Sequence, residues 1–310
     1  MNDSLPARVR IREVGPRDGF QNEPEVIPTA DKVRLIELLA HTGLQRIELT
    51  SFVRADVIPQ LADAAAVLAA GELPAGVEAT VLVPNRRGLE DALRFRDRFE
   101  QVSGFISASE THNQKNLRRS IDESLAELEL MIGHVRAEGL RAGAVISVGF
   151  GCPYEGRVEP ERVFEIARRL VAAGAQEIGF GDTTGMANPV QVRSFFPAAR
   201  DAIDPATELT AHFHNTRGAG LANVLAALEA GCESFESSVG EIGGCPVPAG
   251  ATGNIATEDL VSMLHEMGIE TGVDLDRLLE ASRELATTLG RPLGSHTLLA
   301  GPVSWAPPSS

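Results

Sequence analysis

Two histidines stand two residues apart in the run AHFHNT, at His212 and His214. Alternate residues of a strand point to one face, so both imidazoles would project together, one on either side of Phe213. A lone histidine is more often a core or surface residue. A pair at this spacing near the end of a strand suits a divalent metal. Arg17 and Asp18 are adjacent in EVGPRDGFQNE, between Gly15-Pro16 and Gly19. Neighbouring opposite charges ordinarily mark a solvated turn, but these turn residues could fix the backbone and aim both side chains. Glu48 lies inside the apolar run RIELTS. A carboxylate there is costly to bury without a partner, which implies either an ion pair with an arginine or a functional acid. The segment 243–254, GGCPVPAGATGN, is too rich in Gly and Pro for regular structure. It carries Cys245, ends on Asn254, and lacks the Gly-Lys-Ser/Thr ending of a phosphate-binding loop. It reads as a mobile lid that brings a thiol to a site, or as a plain surface turn. Asp182 in GFGDTTG and the pair Ser109-Glu110 in SASETHN complete the candidates.

Those residues need elements to position them. Short β-rich runs alternate with longer stretches of helical periodicity. Strands are expected at 8–14, 46–51, 78–83, 101–108, 142–149, 177–181, 209–215 and 234–239. Helices are expected at 30–42, 60–70, 120–138, 159–173, 188–202, 219–230, 258–268 and 275–289. In 120–138, Ile121, Leu125, Leu128, Met131, Ile132 and Val135 recur close to the 3.6-residue period. Gly43, Gly71, Gly139, Gly174, Gly231 and Gly268 stand where helices should stop. Eight strands, each followed by a helix, predict an α/β protein, a (β/α)8 TIM barrel, with a doubly wound open sheet as the alternative. We expect one catalytic domain over residues 1–310, with a barrel over about 8–270 and an appended C-terminal helical segment over about 271–295. In such a barrel the site forms at the C-terminal ends of the strands. Asp18, His212, His214 and Asn254 can then converge as two oxygens and two nitrogens. That set favours Mg2+ or Mn2+, although two histidines also tolerate Zn2+ or Co2+.

Bulk composition excludes several partners. The chain has 310 residues, 43% hydrophobic and 5% aromatic, with a net charge of −15. No basic run accompanies that charge, so a nucleic-acid partner is not expected. An anionic substrate would have to be held by local arginines against the overall field. No apolar run approaches a bilayer span, and no membrane partner is expected. Three widely spaced cysteines do not form a disulfide framework, and the N-terminal residues lack the pattern of a signal peptide. A reducing, cytoplasmic location is expected. The two lysines, Lys32 in a helix and Lys115 expected in a loop, are poorly placed for a Schiff base.

Taken in order, VGPRDGFQNE, IELTSFV, GCPYEG, GDTTG, HFHNTRGAGLAN and GGCPVPAGATGNIATEDL closely resemble the 3-hydroxy-3-methylglutaryl-CoA lyase family, from about residue 8 to 290. That resemblance implies a metal-dependent carbon–carbon lyase on a (β/α)8 barrel, acting on an acyl-CoA. Asp18, His212, His214 and Asn254 match the family's divalent-metal ligands. Arg17 matches the arginine that stabilises the enolate, and Glu48 an active-site acid. Cys245 matches the loop cysteine needed for efficient turnover, and Asp182 a carboxylate near the metal. His212 or Asp18 would be the base in a retro-Claisen cleavage to acetoacetate and acetyl-CoA, serving leucine degradation and ketone-body formation. Family members suggest a homodimer.

The sequence departs from the pattern at Asn215, where the family usually has an acid, and at Arg217, where an aromatic is frequent. The loop reads CPVPAG without an aromatic after CP, and a lysine common after the RDG motif is absent around Pro24. Arg217 therefore suggests a different or larger 3-hydroxyacyl-CoA. The rival readings are a Claisen condensing synthase, a metal-dependent aldolase on the same barrel, and a non-catalytic binder of metal or acyl-CoA. Synthases of that type commonly carry a C-terminal regulatory domain, for which the stretch after the last helix leaves no room.

Overall fold

The computed structural model of the chain describes residues 5–244 and 253–305. Eight parallel strands close into a barrel in sequence order: β1 (Arg10–Glu13), β2 (Arg46–Ser51), β3 (Glu78–Leu82), β4 (Gln101–Ser107), β5 (Arg141–Ser147), β6 (Glu177–Asp182), β7 (Glu208–Phe213) and β8 (Ser234–Ser237). Between successive strands lie α1 (Thr29–Ala40), α2 (Ala64–Ala70), α3 (Arg86–Ala92), then α4 (Glu110–Leu117) with α5 (Ile121–Ala137), α6 (Pro160–Ala172), α7 (Pro189–Ala202) and α8 (Gly220–Glu229). After β8 come α9 (Thr257–Glu266), α10 (Leu275–Leu289) and α11 (His296–Ala300). The architecture is the expected TIM barrel and not an open sheet, because β1 pairs with β8 through Arg10↔Ser234 to Glu13↔Ser237.

The main apolar core lies between the barrel wall and the helices. Phe150, Phe164, Phe180, Phe195, Phe196 and Phe213 form one aromatic cluster there, with centroids 4.7 Å apart for Phe150–Phe195 and 5.0 Å for the edge-to-face pair Phe180–Phe195. Helix α5 starts on a capping box in which Ser120 and Glu123 satisfy each other's backbone N–H groups, and its predicted apolar stripe is buried. Five of the six predicted stop glycines have positive φ; Gly71, at φ −71°, is extended instead.

The differences from the sequence reading have physical causes. β1 starts at Arg10 because Val9 donates its N–H to Glu270 O, outside the barrel ladder. β7 ends at Phe213 because His214 leaves the ladder to bridge Asn254. β8 ends at Ser237 because Ser238 bridges Ala256. Helices α3, α4 and α11 are short and not apolar on a regular period, so periodicity is silent about them. Side-chain caps from Asn85, Ser109 and Ser295 define their starts. Lys115, expected in a loop, is therefore helical, in α4.

Candidate functional site

The chain leaves β1 through a π-helical turn, Gly15–Gly19, with Pro16 at its start. Such turns recur at functional sites. Asp18 N–H donates to Val14 O at 2.7 Å, and Arg17 N–H to the same oxygen at 3.1 Å. Only glycine fits both ends: a Cβ on Gly15 would meet Glu13 Oε1 at 2.6 Å, and one on Gly19 would meet Ile242 Cδ1 at 2.4 Å. This packing holds Arg17 and Asp18 in buried positions, so the pair is not a solvated turn.

Arg17 Nε donates to Glu48 on β2, and Nη1 donates to Asp18 Oδ1 at 2.6 Å. Of the two alternatives for Glu48, the ion pair with an arginine is the one observed, and the partner is Arg17. Burial and the nearby Glu236 raise the Glu48 carboxyl against the pull of Arg17. Asp18 also accepts from Gln21 Nε2 at 3.0 Å and from Asn254 Nδ2 at 2.7 Å. Burial opposes its ionisation, but Arg17, His212, His214 and the Asn254 hydrogen bond keep it below the usual carboxylate range.

His212 and His214 share a face, with their Nε2 atoms 3.1 Å apart. Burial and the neighbouring His212 push His214 down to about 3, so it is neutral. Burial also works against the His212 imidazolium, but the hydrogen bond and charge of Glu236, with Asp18, carry His212 above its ordinary value. Asn254 lies in the described segment that starts at residue 253, where Ile255 N–H donates to Phe213 O at 3.1 Å. The structure thus gathers Asp18, His212, His214 and Asn254, and one ligand atom from each of Asp18, His212 and His214 lies within 4.8 Å of the others.

These residues fit a divalent cation. His214 is neutral, as a ligand must be. Two imidazole nitrogens facing each other at 3.1 Å suit a shared cation. Among the described residues, the Asn254 carbonyl oxygen is buried without a hydrogen-bond partner, while its amide donates to Asp18 and to Ile242 O. Buried acceptors are seldom left unpaired, so this oxygen is suited to ligation.

Asp182 ends β6. Its Oδ1 accepts from Met186 N–H at 2.7 Å and Ala187 N–H at 3.0 Å. Among the described residues its Oδ2 is buried without a partner, and burial pushes the carboxyl up to about 7 against those two bonds. Arg217 is exposed, and its Nη1 donates to Thr184 O at 2.7 Å and Gly185 O at 3.0 Å, which clamps the loop after Asp182. Asn215 donates to Glu241 Oε1 at 2.8 Å. Ser109 caps α4, and Glu110 accepts from Ile121 N–H at 3.1 Å. Cys245 lies outside the described residues.

Sequence reasoning missed Glu236 on β8, whose Oε2 contacts His212 Nδ1 at 2.9 Å, and Arg12 on β1, whose Nη1 donates to Glu236 Oε1 at 3.0 Å. The signal was present, since each is a charge inside a short buried strand, as Glu48 is.

The family model described as HMGL-like matches residues 8–285. The hydroxymethylglutaryl-CoA lyase YngG of Bacillus subtilis is 45% identical over 94% of this chain and 97% of its own length. The crystal structure of a Bacillus subtilis HMG-CoA lyase superposes with a TM-score of 0.92 at 44% identity, covering 96% of this chain and 98% of that one. An HMG-CoA lyase from Acinetobacter baumannii, in complex with coenzyme A and 3-methylmalate, gives 0.92 at 38% identity, covering 100% of this chain and 99% of that one. Together with the closed barrel, these matches mean that the chain belongs to the HMGL-like family.

Proposed function

We propose that the chain cleaves 3-hydroxy-3-methylglutaryl-CoA, or a close 3-hydroxyacyl-CoA analogue, to acetoacetate and acetyl-CoA. The observation that carries this reading is the convergence of Asp18, His212 and His214 beside Arg17, in a chain so similar to known lyases of that substrate. Asp18, His212, His214 and Asn254 would hold the cation, and the oxygen share of the set favours Mg2+ or Mn2+. When bound, the divalent ion supplies Lewis acidity that eases loss of the substrate's hydroxyl proton.

The sequence named His212 or Asp18 as the base. As ligands, both are engaged: His212 Nδ1 with Glu236, and the Asp18 oxygens with Arg17, Gln21 and Asn254. Asp182 has a buried carboxylate oxygen without a partner among the described residues, so it accepts the proton in this scheme. The C2–C3 bond then breaks, and its electron pair passes to C2 and the thioester carbonyl. The Arg17 guanidinium, aimed by Glu48, opposes the negative charge gathering on the thioester oxygen. Carbon protonation at C2 completes the acetyl-CoA, a step that the resemblance associates with Cys245. The homodimer and the cytoplasmic location belong to the same reading. No helix among the described residues is long and apolar enough to cross a membrane.

The test uses metal-stripped protein with 3-hydroxy-3-methylglutaryl-CoA, restored Mg2+ or Mn2+, and an assay of acetoacetate. The expected result is cleavage that requires metal and disappears in His212→Ala. Absence of cleavage by folded, metal-loaded protein would refute this substrate.

A further inference from the structure

Three residues on adjacent strands occupy one level of the barrel wall. Arg12 on β1 is in register with Glu236 on β8, and Glu236 is in register with His212 on β7. Their side chains form a chain of contacts at that level. Arg12 Nη1 donates to Glu236 Oε1 at 3.0 Å, and Glu236 Oε2 lies 2.9 Å from His212 Nδ1. Arg12 is itself fixed from the far side, donating to Glu177 Oε1 at 2.8 Å and Oε2 at 2.7 Å. All four side chains are at least nine-tenths buried.

We infer that Glu236, held by Arg12, is a positioning residue that fixes the His212 tautomer and turns Nε2 toward Asp18 and His214. The inference rests on the metal-site reading above, but Glu236 is not one of the ligands. A carboxylate acceptor at Nδ1 requires the ring proton there, which leaves the Nε2 lone pair for the cation. Arg12 occupies the other carboxylate oxygen, so Glu236 cannot rotate away without breaking a buried ion pair. Carboxylates behind a ligating histidine orient the ring and raise its basicity, and losing one typically weakens metal binding 10- to 100-fold. A carboxylate that only filled the barrel would affect stability and leave metal affinity unchanged.

The experiment titrates metal-stripped full-length protein with Mn2+ alone, followed by electron paramagnetic resonance, and pairs this with histidine 15N spectra of the Mg2+-loaded wild type. Glu236→Ala should weaken Mn2+ about 10- to 100-fold, and Glu236→Gln, which keeps an acceptor for Nδ1–H, should weaken it less. In turnover, kcat should fall at saturating metal while the KM for the acyl-CoA stays in place. In the wild type, His212, assigned by the loss of its signal in His212→Gln, should carry its proton on Nδ1; this arm stands even if Glu236→Ala fails to fold. Unchanged Mn2+ affinity in folded Glu236→Ala, or an unprotonated His212 Nδ1 in the wild type, overturns the inference alone. A wild type that binds no Mn2+ overturns the ligand set and the inference with it.

Discussion

At the scale of single residues, the proposed mechanism assigns holding and reacting roles to different groups. Asp18 is held by Arg17, Gln21 and Asn254, and His212 by Glu236. Asp182 is different, with one oxygen fixed by two backbone N–H groups and the other without a partner among the described residues. Burial, which puts its carboxyl near 7, suits proton transfer at neutral pH. Asp182→Asn keeps an oxygen for the Met186 and Ala187 N–H groups and removes the proton acceptor. Its kcat should fall by about 10^2- to 10^4-fold with Mn2+ affinity unchanged, measured by steady-state kinetics and metal titration. Wild-type kcat in that variant would assign the proton elsewhere. The site's chemistry was legible wherever residue type and spacing coincided, as in the histidine pair and in Arg17-Asp18 between glycines. Glu236 and Arg12 escaped because their partnership exists only across the β1–β8–β7 register, between residues far apart in the sequence.

At the scale of elements, the strands were legible because short β-rich runs alternate with stretches of helical periodicity. Their ends were not, because residues 8–9, 214–215 and 238 bond to segments distant in sequence. The turn carrying Arg17 and Asp18 depends on another such contact. Glu13 Oε1 accepts from Gly15 N–H at 2.7 Å and Val239 N–H at 2.9 Å, and Oε2 accepts from the Thr257 hydroxyl at 2.6 Å. One carboxylate thus ties the β1 turn to the connections after β8. Burial pushes Glu13 up to about 7, against its three hydrogen bonds and with a contribution from Glu258. A carboxyl whose folded pKa lies above its unfolded value stabilises fully below the unfolded value, and that stability is lost as pH rises through about 7. Glutamine at this position can keep the carbonyl acceptor for both N–H groups and donate to Thr257 Oγ, which has Ser237 Oγ 2.9 Å away as its own partner. Glu13→Gln should therefore gain on the wild type between pH 5 and 8, by on the order of 3 kcal/mol at the alkaline end. Melting temperatures of the two proteins across that range would show the divergence, and parallel curves would refute it.

At the scale of the whole molecule, the barrel interior is unusual for its charge. Bulky aliphatic layers commonly fill this fold. Here Glu177 on β6 accepts from Arg12, from Arg46 Nη2 at 3.0 Å, from Gln101 Nε2 at 2.8 Å and from the Thr210 hydroxyl at 2.7 Å. Arg46 reaches on to Glu208 at 2.6 Å and to Glu78 at 3.2 Å. The layer joins strands from around the barrel and ends at Glu236, beneath His212. Buried ion pairs are not intrinsically more stabilising than apolar packing, but removing one member leaves the others charged and desolvated, at a cost of about 3–5 kcal/mol. Glu177→Leu should thus lose about that much, because Arg12 and Arg46 would both lose a buried partner. The loss should appear as a lower urea midpoint with an unchanged slope. The two arginines hold the Glu177 carboxyl far below the usual range, although burial opposes them. Its contribution is therefore present above the unfolded carboxylate pKa and disappears only as pH falls through the depressed folded value. The gap between variant and wild type should stay constant from pH 5 to 8 and close only in strong acid. A gap that narrows toward neutral pH would mean that the layer is not charged as its hydrogen bonds require.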